Sequence, residues 1–288
     1  MTLGFELTGR NATWTLEEDR VVIDYSNSWG NPKLLRRIGR RVVPHEAISG
    51  ARVARSDGVP VLRLLLRPGA DPYLEAAAGQ LPEDHELYDL ELERGQEDLA
   101  GYHADGLRMH AEENPQAGAP CERFLLDAEK PPLRLKCYDG DAHLEPGVLR
   151  FRWNGEASGS KRGRGDAVYP LGEVTGAEWV KPGMMSGHLA VLTGEPTGDV
   201  EEDPRVILFG LGYGGLADSL PFTASLLAEI QRCSGERGAP VALLPAQAGP
   251  GMPDEIVAAI RALGELRDAG LISEEEFERR KKDRLDRL

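Results

Sequence analysis

The sequence predicts an α+β fold that is mainly β: two similar β-rich modules, each closed by a C-terminal helix, then a helical hairpin. Three features predict it. The chain repeats itself once, both copies carry strand-like runs, and the end of the chain reads as two well-capped amphipathic helices. The expected limits are 1–115 for module 1, 121–235 for module 2, 236–251 for a linker and 252–288 for the hairpin.

The repeat is legible in four matches that occur in the same order. Leu16 to Tyr25 (LEEDRVVIDY) answers Leu144 to Trp153 (LEPGVLRFRW), which places Val21 on Leu149 and Ile23 on Phe151. Pro44 to Ala51 (PHEAISGA) answers Pro170 to Ala177 (PLGEVTGA), and VLRLLL from Val61 answers HLAVLT from His188. Each copy then offers one more strand, Tyr88–Glu93 and Arg205–Phe209, before its helix. Runs such as VVIDY, LRFRW and YDLELE cluster or alternate β-branched and aromatic residues over strand length. Asp57-Gly58, Asp139-Gly140 and Pro146-Gly147 supply the turns.

The first closing helix is expected over Gln96–Glu113, with Leu99, Tyr102 and Leu107 as its apolar stripe. The second is expected to be capped by Ser219, with Pro221 in its first turn and Phe222, Leu226, Leu227 and Ile230 on one face. Antiparallel strands closed by one helix describe a small barrel or sandwich whose open edge the helix covers.

The two-copy pattern, the E-x-I/V-x-G-A turn, Gly79-Gln80-Leu81-Pro82 after an Ala-rich stretch and Gly187-His188-Leu189 resemble uncharacterised bacterial proteins built from tandem pleckstrin-homology-like domains of unknown function. The resemblance covers roughly residues 1–235. It implies a PH-like fold for both modules and supplies no catalytic residues.

After the second module, GERGAPVALLPAQAGPG is linker composition. Asp254 and Glu255 then open a helix with the charge its dipole favours, and Ile256, Ile260, Leu263 and Leu266 form its stripe. Gly270 stops it, with Leu271 as the apolar contact. Ser273 and Glu276 make a capping box and Ile272 with Phe277 a hydrophobic staple for the second helix, which continues its seam through Leu285 and Leu288. Three Glu-to-Arg/Lys pairs at i,i+4 add about 0.2–0.5 kcal/mol each. Leu263, Leu266, Gly270 to Ser273, Glu276, Phe277, Lys281 and Leu285 closely resemble the short C-terminal (SHOCT) domain. About 35 residues cannot bury enough apolar area to stand alone. The seam must meet another hairpin, the chain's own modules or another protein, and self-association is the preferred reading.

Composition narrows the function classes. A net charge of −14 argues against a general nucleic-acid binder. Charge is also uneven: residues 10–68 hold eleven Lys/Arg against six Asp/Glu, and residues 69–130 hold four against sixteen. Three scattered cysteines make no disulfide framework or C-x-x-C pair. With no signal-peptide pattern and no long apolar run, the expectation is a cytoplasmic protein, with peripheral attachment at the inner face of the membrane as the alternative.

Gly210-Leu211-Gly212-Tyr213-Gly214-Gly215 satisfies G-x-G-x-x-G between a strand and a helix, but no acidic residue ends a following strand and too little chain remains for more parallel strands. The reading is a strand-to-helix turn. His103 and His110 share a helix without a third ligand, so no metal is expected, and no cofactor either. With no hydrolase, Walker or zincin pattern present, the chain reads as non-enzymatic.

Two basic clusters recur at one place in the repeat: Lys33, Arg36, Arg37, Arg40 and Arg41 before Pro44, and Lys161, Arg162 and Arg164 before Pro170. Bidentate Arg suits phosphates, and Trp29 nearby could enter an interface, so an anionic ligand or membrane surface is the rival reading to a scaffold that binds itself.

Overall fold

The computed structural model describes residues 5–235, apart from 57, 184, 185 and 211. The hairpin, with Ile256, Ile260, Leu263, Leu266, Leu271, Ile272, Phe277, Leu285 and Leu288, lies outside the described residues.

Module 1 begins with a four-stranded antiparallel sheet, β1 (Phe5–Thr8), β2 (Ala12–Leu16), β3 (Arg20–Tyr25) and β4 (Arg40–Pro44), in chain order. A short helix, α1 (Lys33–Ile38), interrupts the path from β3 to β4. A three-stranded sheet follows: β5 (Ile48–Ser56), β6 (Val59–Leu66) and β7 (Asp89–Glu91), with α2 (Pro72–Ala77) between the last two. The module ends in α3 (Glu97–Glu113).

Module 2 repeats the order with β8 (Leu133–Lys136), β9 (Gly140–Glu145), β10 (Val148–Trp153), α4 (Gly159–Arg164) and β11 (Ala167–Pro170). Then come β12 (Gly176–Val180), β13 (His188–Leu192), β14 (Val206–Leu208) and α5 (Leu216–Gly235). The correspondence is close at the short helices. Gly39 ends α1 at φ 69° and Gly165 ends α4 at φ 75°, a left-handed stop that glycine tolerates best. No helix matches α2 in module 2, where a loop joins β13 to β14.

Alternation sets the register. Val21, Ile23 and Tyr25 of β3 and Leu149 and Phe151 of β10 all point inward and are buried, and Trp14 and Trp179 fill the two modules' interiors. The barrel expectation is corrected: among the described residues no ladder joins a four-stranded to a three-stranded sheet, so each module is a pair of open sheets.

Three local expectations also change. On α3 the buried face is Ala100, His103, Ala104, Leu107 and Ala111, while Leu99 and Tyr102 face water. Small side chains let α3 lie close on β5 and β6, so alanine rather than the largest residues marks the inner face. Ser219 does not cap α5, which starts three residues earlier; its hydroxyl donates to the Gly215 carbonyl (3.1 Å) and accepts from Trp179 Nε1 (3.1 Å). The closing strands are three residues each, shorter than the apolar runs that announced them.

The modules share one continuous hydrophobic core. Helix α5 packs on β8 and β12 of its own module and on α1 and α2 of the other. Its buried residues Ala217, Leu220, Phe222, Ala224, Leu226, Leu227 and Ile230 run around the helix, the pattern of a helix covered on more than one side. Gln80, just past α2, adds a polar tie: it donates to the Trp179 carbonyl (2.8 Å) and accepts from the Lys181 amide (3.0 Å).

Candidate functional site

The repeated basic clusters sit on α1 and α4 and at the start of β4, so they occupy short helices more than loops. Geometry divides them. Arg41 is buried and faces inward from β4. Its guanidinium donates to the Asp71 carboxylate, to Tyr88 Oη (3.2 Å) and to the Asp127 carbonyl (2.5 Å), and lies 4.4 Å over the Tyr73 ring. Asp71 in turn caps α2 by accepting from the Tyr73 and Leu74 amides, and it accepts from Tyr88 Oη (2.7 Å). Burial opposes the Arg41 charge, but Tyr88 and Asp71 outweigh it and hold the group firmly protonated. Burial also pushes the Tyr73 phenol up to about 12. This guanidinium fixes strand, helix and inter-module segment to one another through its two terminal nitrogens, while its Nε is buried without a hydrogen-bond partner among the described residues.

Module 2 buries a basic residue at a different position, Lys161. It is fully buried, donates to Asp139 Oδ2 (2.8 Å) and more weakly to the Val200 carbonyl (3.5 Å), and sits 5.0 Å over the Trp153 ring. Asp139 Oδ1 accepts from the Leu208 amide (2.8 Å), which ties β9 to β14. Module 1 ties the same corner with a neutral group: Asn11 donates to the Asp89 carbonyl (2.8 Å) and accepts from the Glu91 amide (2.9 Å). Counting back from the matched stops Gly39 and Gly165, Lys161 takes the position of buried Leu35. His188 on β13 belongs to the same surroundings. Burial, and then the Lys161 charge, hold its imidazole down to about 4.

The remaining cluster residues are exposed or half-buried, and most are already paired. Lys33 meets Asp218 at the start of α5 (3.2 Å), Arg37 grips both oxygens of Glu129, and Arg40 meets Asp24 (3.3 Å). Arg36 donates to the Asn31 carbonyl (3.1 Å) and Arg162 to the Gly155 carbonyl (3.0 Å). Arg164 is exposed and makes no hydrogen bond or ion pair with a described residue. The eight basic residues therefore do not converge on one pocket. Two are interior mortar, and Lys33 and Arg37 reach across to α5 and the segment between the modules.

The G-x-G-x-x-G run forms a tight turn in which Gly210 and Tyr213 exchange backbone bonds (2.9 and 3.1 Å). A Cβ on Gly214, at φ 66°, would stand 2.3 Å from Phe209 Cδ1, so packing demands this glycine. Strand β14 runs antiparallel to β13, which differs from the parallel strand–helix unit of a dinucleotide site. His103 lies 4.3 Å from the Phe5 ring and His110 stacks on His45 (4.9 Å), so the two helix histidines have different neighbours. An open groove of about 850 Å³ runs between residues 122–131 and the C-terminal half of α5, with Phe124, Leu126, Pro131 and Ala228 on its walls. Its Glu229 accepts from Arg232 and from the Gly147 amide (2.9 Å), which lowers its pKa against the opposing effect of burial.

Sequence reasoning missed Asp71, Asp139, Asn11 and His188. The repeat register held a usable signal: a buried position changes from Leu35 to Lys161 while another changes from Asn11 to Asp139, a paired exchange of neutral for charged residues.

Comparison with protein-family models places a match described as Domain of unknown function (DUF4429) at residues 14–108 and again at 143–226. A model described as Short C-terminal domain matches residues 258–283. No curated protein matches the chain.

Proposed function

The chain belongs to the DUF4429 family, with two copies of that domain ahead of a short C-terminal domain, and from this premise we propose a non-enzymatic interaction protein that assembles through its hairpin. In favour of a PH-like reading, each module ends its two antiparallel sheets with a long helix. The observation that carries the proposal is how the interior charges are used. Arg41 with Asp71 and Lys161 with Asp139 are buried pairs whose bonds go to structural partners, so the chain's most chemically distinctive groups hold the fold together. What remains for function is surface, with a recognisable adhesive segment beyond the linker. The modules act as a fused platform and the hairpin, through Leu263, Leu266, Phe277 and Leu285, brings copies together. Light scattering of the full chain against a Leu263→Asp/Leu266→Asp variant tests this. A drop from oligomer to monomer is expected, and identical monomeric masses for both would defeat it.

One observation favours a second reading, contact with an anionic membrane surface. Trp29 is 92% exposed at the tip of the loop before α1. Asn31 holds that loop by donating to the Asn11 carbonyl (3.0 Å) and the Ser26 carbonyl (2.7 Å), so the indole is presented on an ordered support. Flotation with anionic vesicles, wild type against Trp29→Ser and Arg36→Glu, decides it. Absence of the wild-type chain from the lipid fraction removes this reading.

A further inference from the structure

The closing helices of the two modules are covered differently. Helix α5 has strands on one side and α1 and α2 on another, whereas α3 rests on β5, β6 and the turn His45–Ala47 and turns its other face to water. That outer face carries three large apolar side chains beside the exposed Asp105–Arg108 ion pair. Leu99 is 41% exposed, Tyr102 74% and Met109 62%, at helical spacing that aligns them, and Phe5 (50%) lies beside them against His103. Gly106 falls on the same face between Tyr102 and Met109, and a Cβ there would meet nothing within 4 Å. It leaves a low point into which another backbone can approach. Glu97 and Asp98 in the first turn and Glu112 and Glu113 in the last frame the patch with negative charge. Those charges oppose pairing of α3 with a second α3, since antiparallel stacking would set acid against acid.

The chain itself shows what kind of surface covers such a helix. On α5 it is α2 together with α1, a short cationic helix whose Lys33 meets Asp218 in the first turn of the covered helix. Module 2 has its own version of α1, namely α4, with Arg162 and Arg164 exposed in its last turn. The acidic rim of the α3 face and the basic α4 are thus complementary in charge.

We propose that the outer face of α3 docks a second copy of this chain through that copy's α4, repeating between molecules the helix contact that joins the modules within one. The contact is heterologous, so it propagates head to tail. Because nothing beside α4 corresponds to α2, it is smaller than the internal contact, and its ion pairs make it salt-sensitive. It stands on a different surface from the hairpin reading.

The test is sedimentation velocity on the full chain carrying Leu263→Asp/Leu266→Asp, over about 1 to 100 μM. Self-association that weakens about tenfold between roughly 50 and 300 mM salt is expected. Tyr102→Glu/Met109→Glu blocks one end and Arg162→Glu/Arg164→Glu the other; each alone should be monomeric, and an equal mixture should stop at a heterodimer. All substituted side chains are exposed, so circular dichroism spectra should not change. A monomer at every concentration in the hairpin-substituted background overturns the proposal and leaves the hairpin reading standing. Unaltered association in the Tyr102→Glu/Met109→Glu variant overturns it as well.

Discussion

Replacing the buried pair of module 2 with the residue types module 1 uses at the same corner should be nearly neutral, although each replacement alone should be severe. At 2.8 Å the Lys161–Asp139 attraction amounts to about 6 kcal/mol at an effective dielectric near ~20. Dehydrating two ions costs several kcal/mol apiece, so the pair as a whole contributes little beyond a neutral substitute. Asp139→Asn strands a fully buried ammonium with only the distant Val200 carbonyl and the Trp153 face. Lys161→Leu strands a carboxylate whose remaining donor is the Leu208 backbone amide. Each should cost about 3–5 kcal/mol. The double variant keeps the Leu208 bond through the amide oxygen and fills the lysine's place as Leu35 does, so it should lie within about 1 kcal/mol of wild type. Urea unfolding followed by circular dichroism measures all four corners of the cycle, and the shared core should give one transition. The coupling should be at least about 5 kcal/mol. Additivity within about 0.5 kcal/mol would refute the claim that the two charges are buried as a unit.

Because the His188 imidazole is held near 4 in the fold against about 6.5 when unfolded, the unfolded chain binds the extra proton first. Its contribution is complete above about pH 6.5 and is lost as pH falls toward 4. Unfolding free energies from urea titrations should therefore decline over that window by about 2–3 kcal/mol, and His188→Gln should flatten this part of the profile. Arg41→Ala should lower the melting temperature by about 10 °C, since it leaves Asp71 without its cation and frees the Asp127 carbonyl; a shift of a degree or two would mean the network is slack. Gly214→Ala should cost about 1–3 kcal/mol in urea titrations, given the Phe209 ring against it and the positive φ; an unchanged midpoint would show the turn can open.

Much of the fold was legible because the repeat ties distant segments together. Val21 with Leu149 and Ile23 with Phe151 are equivalent inward positions, and α3 begins one residue from where the periodicity places it. The partners of the basic residues were not legible. A run of arginines before a proline says nothing about which face each side chain takes, and one step along β4 separates exposed Arg40 from buried Arg41. The acids that meet them come from residues 24, 71, 129, 139 and 218, spread over nearly the whole described chain. The inner face of α3 was hidden for a related reason: periodicity points to the large apolar residues, whereas close packing on a sheet selects Ala100, Ala104 and Ala111.

The departures between the copies depend on one another. Module 1 places α2 between β6 and β7, and α2 is one of the surfaces on which α5 rests. A helix that rests on two partners needs apolar side chains around much of its circumference, which α5 has and α3 lacks. Two identical modules would either leave the second face of α5 wet or demand a further module to cover α3. Loss of an α2 counterpart from module 2 stops the internal stacking there, since α4 alone offers too little surface to hold another closing helix permanently. The asymmetry therefore leaves a strong contact inside the chain and, on the proposed docking, a weaker, charge-matched one between chains.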